Sequence, residues 1–247
     1  MELNNYFELL TLILVISSFS IIQTLFGVGL LVFGTPTLLL IGYPFTTTLL
    51  ILLPSSVLLS ALQIVEGKKQ ILVMKEFIYY SIPPVFLGLF IVSSVFLDWN
   101  IKLIVGATLL FVSAVKKLER YREFLLIKLK ENLKLYMIVM GFIHGISNQG
   151  GGLLTLYFST IYDNKLRIRS NIAFCYFAYG IFQLLFLLIF HFDSVIIIGI
   201  SFSVIALLIY FTVGGKIFNL TSEKLFHRLI SIVIIIFGLT LIYGGLV

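Results

Sequence analysis

The sequence predicts an all-α, polytopic integral membrane protein. Sixty per cent of its 247 residues are hydrophobic and only 11% are charged, against about 25% charged in a soluble domain. Mean hydropathy is +1.14. Apolar runs of roughly 20 residues, enough to span a bilayer as helix, recur from end to end. The expected organisation is two four-segment repeats of inverted topology with Gly-interrupted first segments: residues 1–116, a basic linker over 117–134, and residues 135–247.

The chain begins "MELNNYFELL", with Glu2 and Glu8 and no Lys or Arg. A secretory signal opens with a positive region, so this stretch is read as part of the mature protein. Residues 6–42 follow, long enough for a crossing plus a broken piece, and they contain "QTLFGVGLLVFGTP". Plain helices are expected near 45–65, 76–97 and 101–116. The second interrupted segment, 135–162, contains "GFIHGISNQGGGLLTLYF", and plain helices are expected near 168–191, 194–215 and 224–246. The period is about 123 residues, the separation of Gly29 from Gly152. Shared spacing carries this duplication, since identity between the halves is weak.

Basic residues set the topology through the positive-inside tendency. Lys68, Lys69 and Lys75 follow the first plain helix, and Lys116, Lys117, Arg120, Arg122, Lys128, Lys130 and Lys134 lie between the halves. Lys165, Arg167 and Arg169 follow the second interrupted segment, and Lys216, Lys224 and Arg228 lie between the last two helices. If every segment crosses, these groups fall on opposite sides. If 135–162 enters and returns on one face, all fall on the same side and only Lys102 is opposite. The second solution is preferred. Each half then crosses three times, the halves are inverted as in many secondary transporters, and both termini face outside. The linker can form a basic amphipathic helix on the anionic leaflet, with Phe124, Leu125, Leu129 and Leu133 at near-helical spacing.

Non-helical backbone at membrane depth is tolerated where it is buried in protein or lines a polar cavity. Gly150, Gly151 and Gly152 permit close approach of a ligand. A helix starting there offers unpaired N–H groups and a positive dipole end to an anion. Asn148 and Gln149 add neutral donors, with Ser147 and His144 just before them. In the first half Gly27, Gly29 and Thr35 stand at the matching place, and Thr35–Pro36 fits an N-cap followed by a first-turn proline. Asn171 is the duplication counterpart of Thr48, so both are expected to flank the cavity. Gln63, Gln183 and Asn171 are expected to bond between helices. The competing reading is that these glycines serve helix packing and that His144 is a structural histidine.

Absences narrow the chemistry. Every Asp and Glu lies near a segment end, so no carboxylate is expected mid-membrane for a cation path. No Lys or Arg is expected there either, which leaves dipoles and amides as the electropositive features. No phosphate-binding Gly-x-x-x-x-Gly-Lys-Ser/Thr motif, metal cluster or nucleophile–base pair is visible. No cofactor, no metal, no enzyme activity and no nucleic-acid partner are expected. The lone Cys175 reads as a small buried hydrophobe.

The paired segments "GVGLLVFGTPTLLLIGYP" and "GISNQGGGLLTLYF", the four-segment unit and the length carry a resemblance over essentially the whole chain. The chain resembles the sulfite exporter TauE/SafE family. The resemblance implies a multi-pass plasma-membrane transporter for small sulfur-containing anions such as sulfite, sulfonates or sulfoacetate. The family's glycine motif falls on Gly27, Gly29, Gly150, Gly151 and Gly152. Val28 interrupts the first glycine run, and "YFST" stands where the family often has proline.

The expected function is secondary transport of a small anion by alternating access, with the lipid bilayer as surroundings. The expected substrate-binding residues are Gly27, Gly29, Thr35, His144, Ser147, Asn148, Gln149, Gly150, Gly151, Gly152 and Asn171. The alternative is a non-transporting scaffold or accessory subunit; a channel and, more distantly, a membrane enzyme remain open. A homodimer fits so apolar a chain, although no motif specifies one.

Overall fold

A computed structural model describes residues 6–72, 75–94 and 131–226, together with positions 107, 110, 123, 124, 127, 128, 228, 229 and 232. The described residues form helices and connections without a β-strand. Five helical stretches are long and apolar enough to cross a membrane: Tyr6–Phe26, Phe45–Gln70, Lys75–Ser93, Lys165–Phe190 and Val195–Leu220. Large apolar side chains such as Phe90, Ile189, Ile200, Val204 and Phe211 point outward, where a bilayer would solvate them. The protein is an all-α polytopic membrane protein.

Helix α1 (Tyr6–Phe26) has no internal Gly or Pro and carries Glu8 in its first turn, where the helix dipole favours an anion. It stops at Gly27, whose φ of 79° is a glycine conformation. The chain then doubles back. A Cβ on Gly29 would lie 2.4 Å from Gln23 N, so only hydrogen fits against α1. A π-helical turn (Leu30–Gly34) leads into α2 (Thr35–Ile41). The helix starts at Leu30, directly after Gly29, and the second start that Thr35–Pro36 allowed does not occur: the helix runs through both without a side-chain cap. Gly42 (φ 105°) ends α2 in the left-handed conformation. Phe7, Glu8 and Thr11 line one cavity of about 270 Å³ with Ile41, Gly42, Tyr43, Pro44 and Thr47. The start of α1 and the end of α2 thus meet, and residues 6–42 form a hairpin.

Helix α3 (Phe45–Gly67) contains Pro54, which cannot donate to Leu50 O. Another helix closes on that carbonyl, since a Cβ on Gly199 would lie 2.3 Å from Leu50 O. Helix α4 (Lys75–Ser94) runs parallel to α5 (Leu133–Ser147). Gly141 sits against Ser81 O, Gly145 against Val85 O and Gly88 against Phe142 O, each too close for a Cβ. Small residues let backbones approach where lipid removes the hydrophobic drive between helices. Helix α6 (Gly150–Ile161) returns along α5: Tyr136 donates to Leu153 O at 2.6 Å and its ring lies 5.9 Å from Tyr157.

Helix α7 (Lys165–Phe190) is capped by Asn164, whose side chain accepts from Arg167 N at 2.9 Å. Helix α8 (Val195–Ile209) continues through a π turn (Tyr210–Gly214) into α9 (Gly215–Leu220). Helix α3 runs antiparallel to α7, with Gly67 against Ser170 and Gly180 against Val57, and parallel to α8. Basic residues gather at one end of this bundle. Lys134 lies over the Tyr80 ring, and Lys165 Nζ donates to Phe218 O at 2.8 Å and to Thr221 O. The helices expected at 101–116 and 224–246 lie mostly outside the described residues, as does more than half of the linker 117–134.

Candidate functional site

Both expected interruptions are breaks between helices, and they meet. Helix α5 ends at Asn148, the one described non-glycine residue with positive φ (64°), and its N–H closes on His144 O at 2.8 Å. Asparagine tolerates this left-handed conformation better than most residues. Asn148 Nδ2 donates to Thr35 Oγ1 at 2.8 Å, and Gln149 Nε2 donates to Val32 O at 3.1 Å. The proline four residues after Val32 explains the second bond. Pro36 has no N–H to give that carbonyl, so Gln149 takes it.

A polar relay extends from Asn148 into α7. Gln183 Nε2 donates to Asn148 Oδ1 at 3.2 Å, and Gln183 Oε1 faces His144 Nε2 at 3.2 Å. The His144 ring stacks on Tyr179 at 4.2 Å and meets the edge of Tyr176 at 5.7 Å. Tyr179 hydrogen-bonds Ser81 on α4. Thr35, His144, Asn148, Gln149 and Gln183 are fully buried. None of these bonds involves a charged side chain. The glycines bring backbone and side chain together here. A Cβ on Gly151 would meet Val32 Cγ2 at 2.6 Å and Tyr176 at 2.8 Å, and one on Gly150 would meet His144 Cβ at 2.6 Å. Gly152 N bonds to Gln149 O at 3.1 Å within the first turn of α6.

The first break is held by Gln23 and Gln63, both polar residues the sequence singles out, together with Ser56, Ser60 and Arg169, which it does not place there. Gln23 Oε1 accepts from Leu30 N at 3.2 Å, and Gln23 Nε2 donates to Ser56 O at 2.8 Å and to Ser60 Oγ at 3.2 Å. Gln63 Nε2 donates to Gln23 O at 2.7 Å and to Thr24 O at 3.1 Å. Arg169 Nη1 donates to the same Thr24 carbonyl at 3.1 Å, and its Nη2 pairs with Glu66 Oε2 at 2.8 Å. These donors satisfy α1's C-terminal carbonyls. Arg169, counted by sequence only among the basic residues of the positive side, is fully buried one turn into α7. Its neighbours Arg167 and Asn171 share the "KLRIRSN" run, which hides the helical phase that turns Arg169 inward.

The remaining candidates sit apart from the meeting point. Asn171 donates to Gln70 O and accepts from Leu72 N, both at 2.9 Å, so it fixes the turn after α3. Ser147 Oγ bonds back to Ile143 O at 2.6 Å. Gly27, in the first break, packs on Arg169 O and Ile172. Gln63, Gln183 and Asn171 all bond between elements, as expected. Among the described residues no group of three or more His, Cys, Asp or Glu side chains could hold a metal ion.

A family model described as Sulfite exporter TauE/SafE matches residues 12–241, nearly the whole chain. No curated protein and no solved structure matches it.

Proposed function

From the premise that this chain belongs to the sulfite exporter TauE/SafE family, we propose that it is a secondary transporter for a small sulfur-containing anion such as sulfite. It works by alternating access across the plasma membrane and not as an enzyme. The two halves, residues 1–116 and 135–247, are inverted repeats joined by the cytoplasmic linker 117–134. The observation that carries the proposal is the contact between the breaks, through Asn148 to Thr35 and Gln149 to Val32. The start of α6 converges there on the body of the helix that begins at Leu30, beside neutral donors and buried from solvent. A helix start binds an anion through its free N–H groups and dipole, and broken helices at the repeat interface are where inverted-repeat carriers hold substrate. Thr35, His144, Asn148, Gln149 and the backbone at Gly29 and Gly150 to Gly152 are the proposed binding groups. Asn171 is assigned to the turn it holds.

Proteoliposome uptake tests the reading. Purified protein is offered sulfite, sulfate, thiosulfate, taurine, sulfoacetate and chloride, alongside the Asn148→Ala/Gln149→Ala variant. Saturable flux of one sulfur anion, lost in the variant, is expected. One observation favours the accessory-subunit reading instead: the Cβ positions of Gly29, Gly150 and Gly151 are filled by neighbouring atoms, as packing glycines would be. Absence of flux with every anion, in protein that is folded, would make the packing reading the better one and put the accessory-subunit reading first.

A further inference from the structure

Hydrogen-bond roles at the meeting point leave two pure acceptors open, beside the buried Tyr176 hydroxyl, which can donate or accept. Val32 O can only accept, so the Gln149 atom facing it is the amide nitrogen. Gln149 Oε1 is thereby turned away, and it is buried without a partner. A relay orients His144 similarly. Gln183 donates through Nε2 to Asn148, so its Oε1 faces His144 and His144 Nε2 carries the ring hydrogen. In the neutral ring Nδ1 is then a lone pair, also buried and unpartnered. A Cβ on Gly150 would lie 3.0 Å from Nδ1, which places this nitrogen at the start of α6. Gln149 immediately precedes Gly150. The first N–H groups of α6 supply donors at the same place.

A ligand that satisfies both sets must accept from N–H groups and donate to an open acceptor. A fully deprotonated oxyanion only accepts, and its oxygens would face the Gln149 oxygen and the His144 lone pair. Among the described residues no charged side chain is bonded to the relay, so none of them offsets a second negative charge there. We propose that the transported species is the singly protonated monoanion, hydrogensulfite in place of the sulfite dianion. Gln149 Oε1 or His144 Nδ1 accepts its hydrogen, and the α6 backbone binds its oxygens. This inference rests on the sulfur-anion transport proposed above. Tyr176 and Tyr179 from α7 and Gly150 from α6 face His144. Helix α4 meets α5 through Ser81, Val85 and Gly88, none of which changes charge near neutral pH.

The test uses the full chain in proteoliposomes with equal pH on both sides. Initial uptake at low total sulfite is followed from about pH 6 to about pH 8.5, and repeated with selenite, a pyramidal oxyanion whose second proton is held more tightly. Uptake is expected to fall about tenfold per pH unit above each ligand's own second pKa, so the selenite curve is displaced to higher pH. Methanesulfonate, a monoanion without an acidic hydrogen, is expected to compete at least about tenfold more weakly than hydrogensulfite. Uptake that rises with the dianion would overturn the proposal, as would identical midpoints for both ligands or equal competition by methanesulfonate. Absence of any sulfite flux would remove the transport reading and this inference with it, a result distinct from flux with the wrong pH dependence.

Discussion

Arg169 and Glu66 form an ion pair of 2.8 Å between α7 and α3, with the arginine side chain 1% exposed and the carboxylate 47% exposed. Tyr210 donates to the same carboxylate oxygen at 2.6 Å, and the guanidinium lies 3.6 Å from the Phe218 ring centroid. The asymmetry in exposure predicts an asymmetry in cost. Glu66→Ala strands a buried cation and is expected to destabilise by about 3 kcal/mol. Arg169→Met keeps the packed stem, leaves Glu66 to water, and leaves Thr24 O with its Gln63 donor. It is expected to cost about 1 kcal/mol, and the double variant no more than Arg169→Met alone. Chemical denaturation in detergent measures all three; additive losses would refute the pairing.

Close packing of α4 on α5 makes a second expectation. A Cβ on Gly141 would lie 2.1 Å from Ser81 O, which is backbone and cannot swing away. Gly141→Ala is expected to cost about 2 kcal/mol, and Gly42→Ala, where no atom lies within 4 Å, only the strain of its φ of 105°. Thermal melting that ranks Gly42→Ala as the worse of the two would contradict the packing.

At position 148 stability and function should separate. Asn148→Gly relaxes a backbone held at φ 64° and deletes the bond to Thr35. Asn148→Ala deletes the same bond and keeps the strain, so it should be less stable than the glycine variant by about 1 kcal/mol. Both are expected to lose anion uptake equally. Uptake that instead follows stability would remove the side-chain amide from the binding groups.

Pro36 and Gln149 are expected to be energetically coupled. In the native chain Gln149→Leu leaves the Val32 carbonyl without its amide donor, at about 1–2 kcal/mol. Pro36→Ala restores an N–H four residues beyond Val32. In that background Gln149→Leu should be close to neutral. A double-mutant cycle with no coupling term would show that the proline does not create the acceptor.

The breaks were legible because their residues are poor membrane-helix formers: Gly27, Gly29, Asn148, Gln149 and the glycine run announce themselves against an apolar background. Apolar runs of spanning length located α3, α4, α7 and α8. Beyond Gln23 and Gln63, what holds the first break was not legible. Ser56 and Ser60 look like ordinary small residues, and their service to Gln23 emerges only when α1 lies on α3. The burial of Arg169 was not legible because a basic run at a helix start reads as solvated; its helical phase turns it inward against Glu66. The π turns at Leu30–Gly34 and Tyr210–Gly214 have no sequence mark, since each depends on what the neighbouring helix offers its backbone.

The uncharged relay around Asn148 has a bioenergetic consequence. With no charged side chain bonded to the relay among the described residues, a monoanion moving through it would carry its full charge across the bilayer. Membrane voltage then becomes the engine: about 2.3 kcal/mol per 100 mV for each elementary charge. A compartment that is electrically negative would expel such an anion spontaneously and hold it tens of times more dilute than its surroundings. Export direction would need no built-in rectifier, and a cell losing its voltage would lose the gradient with it.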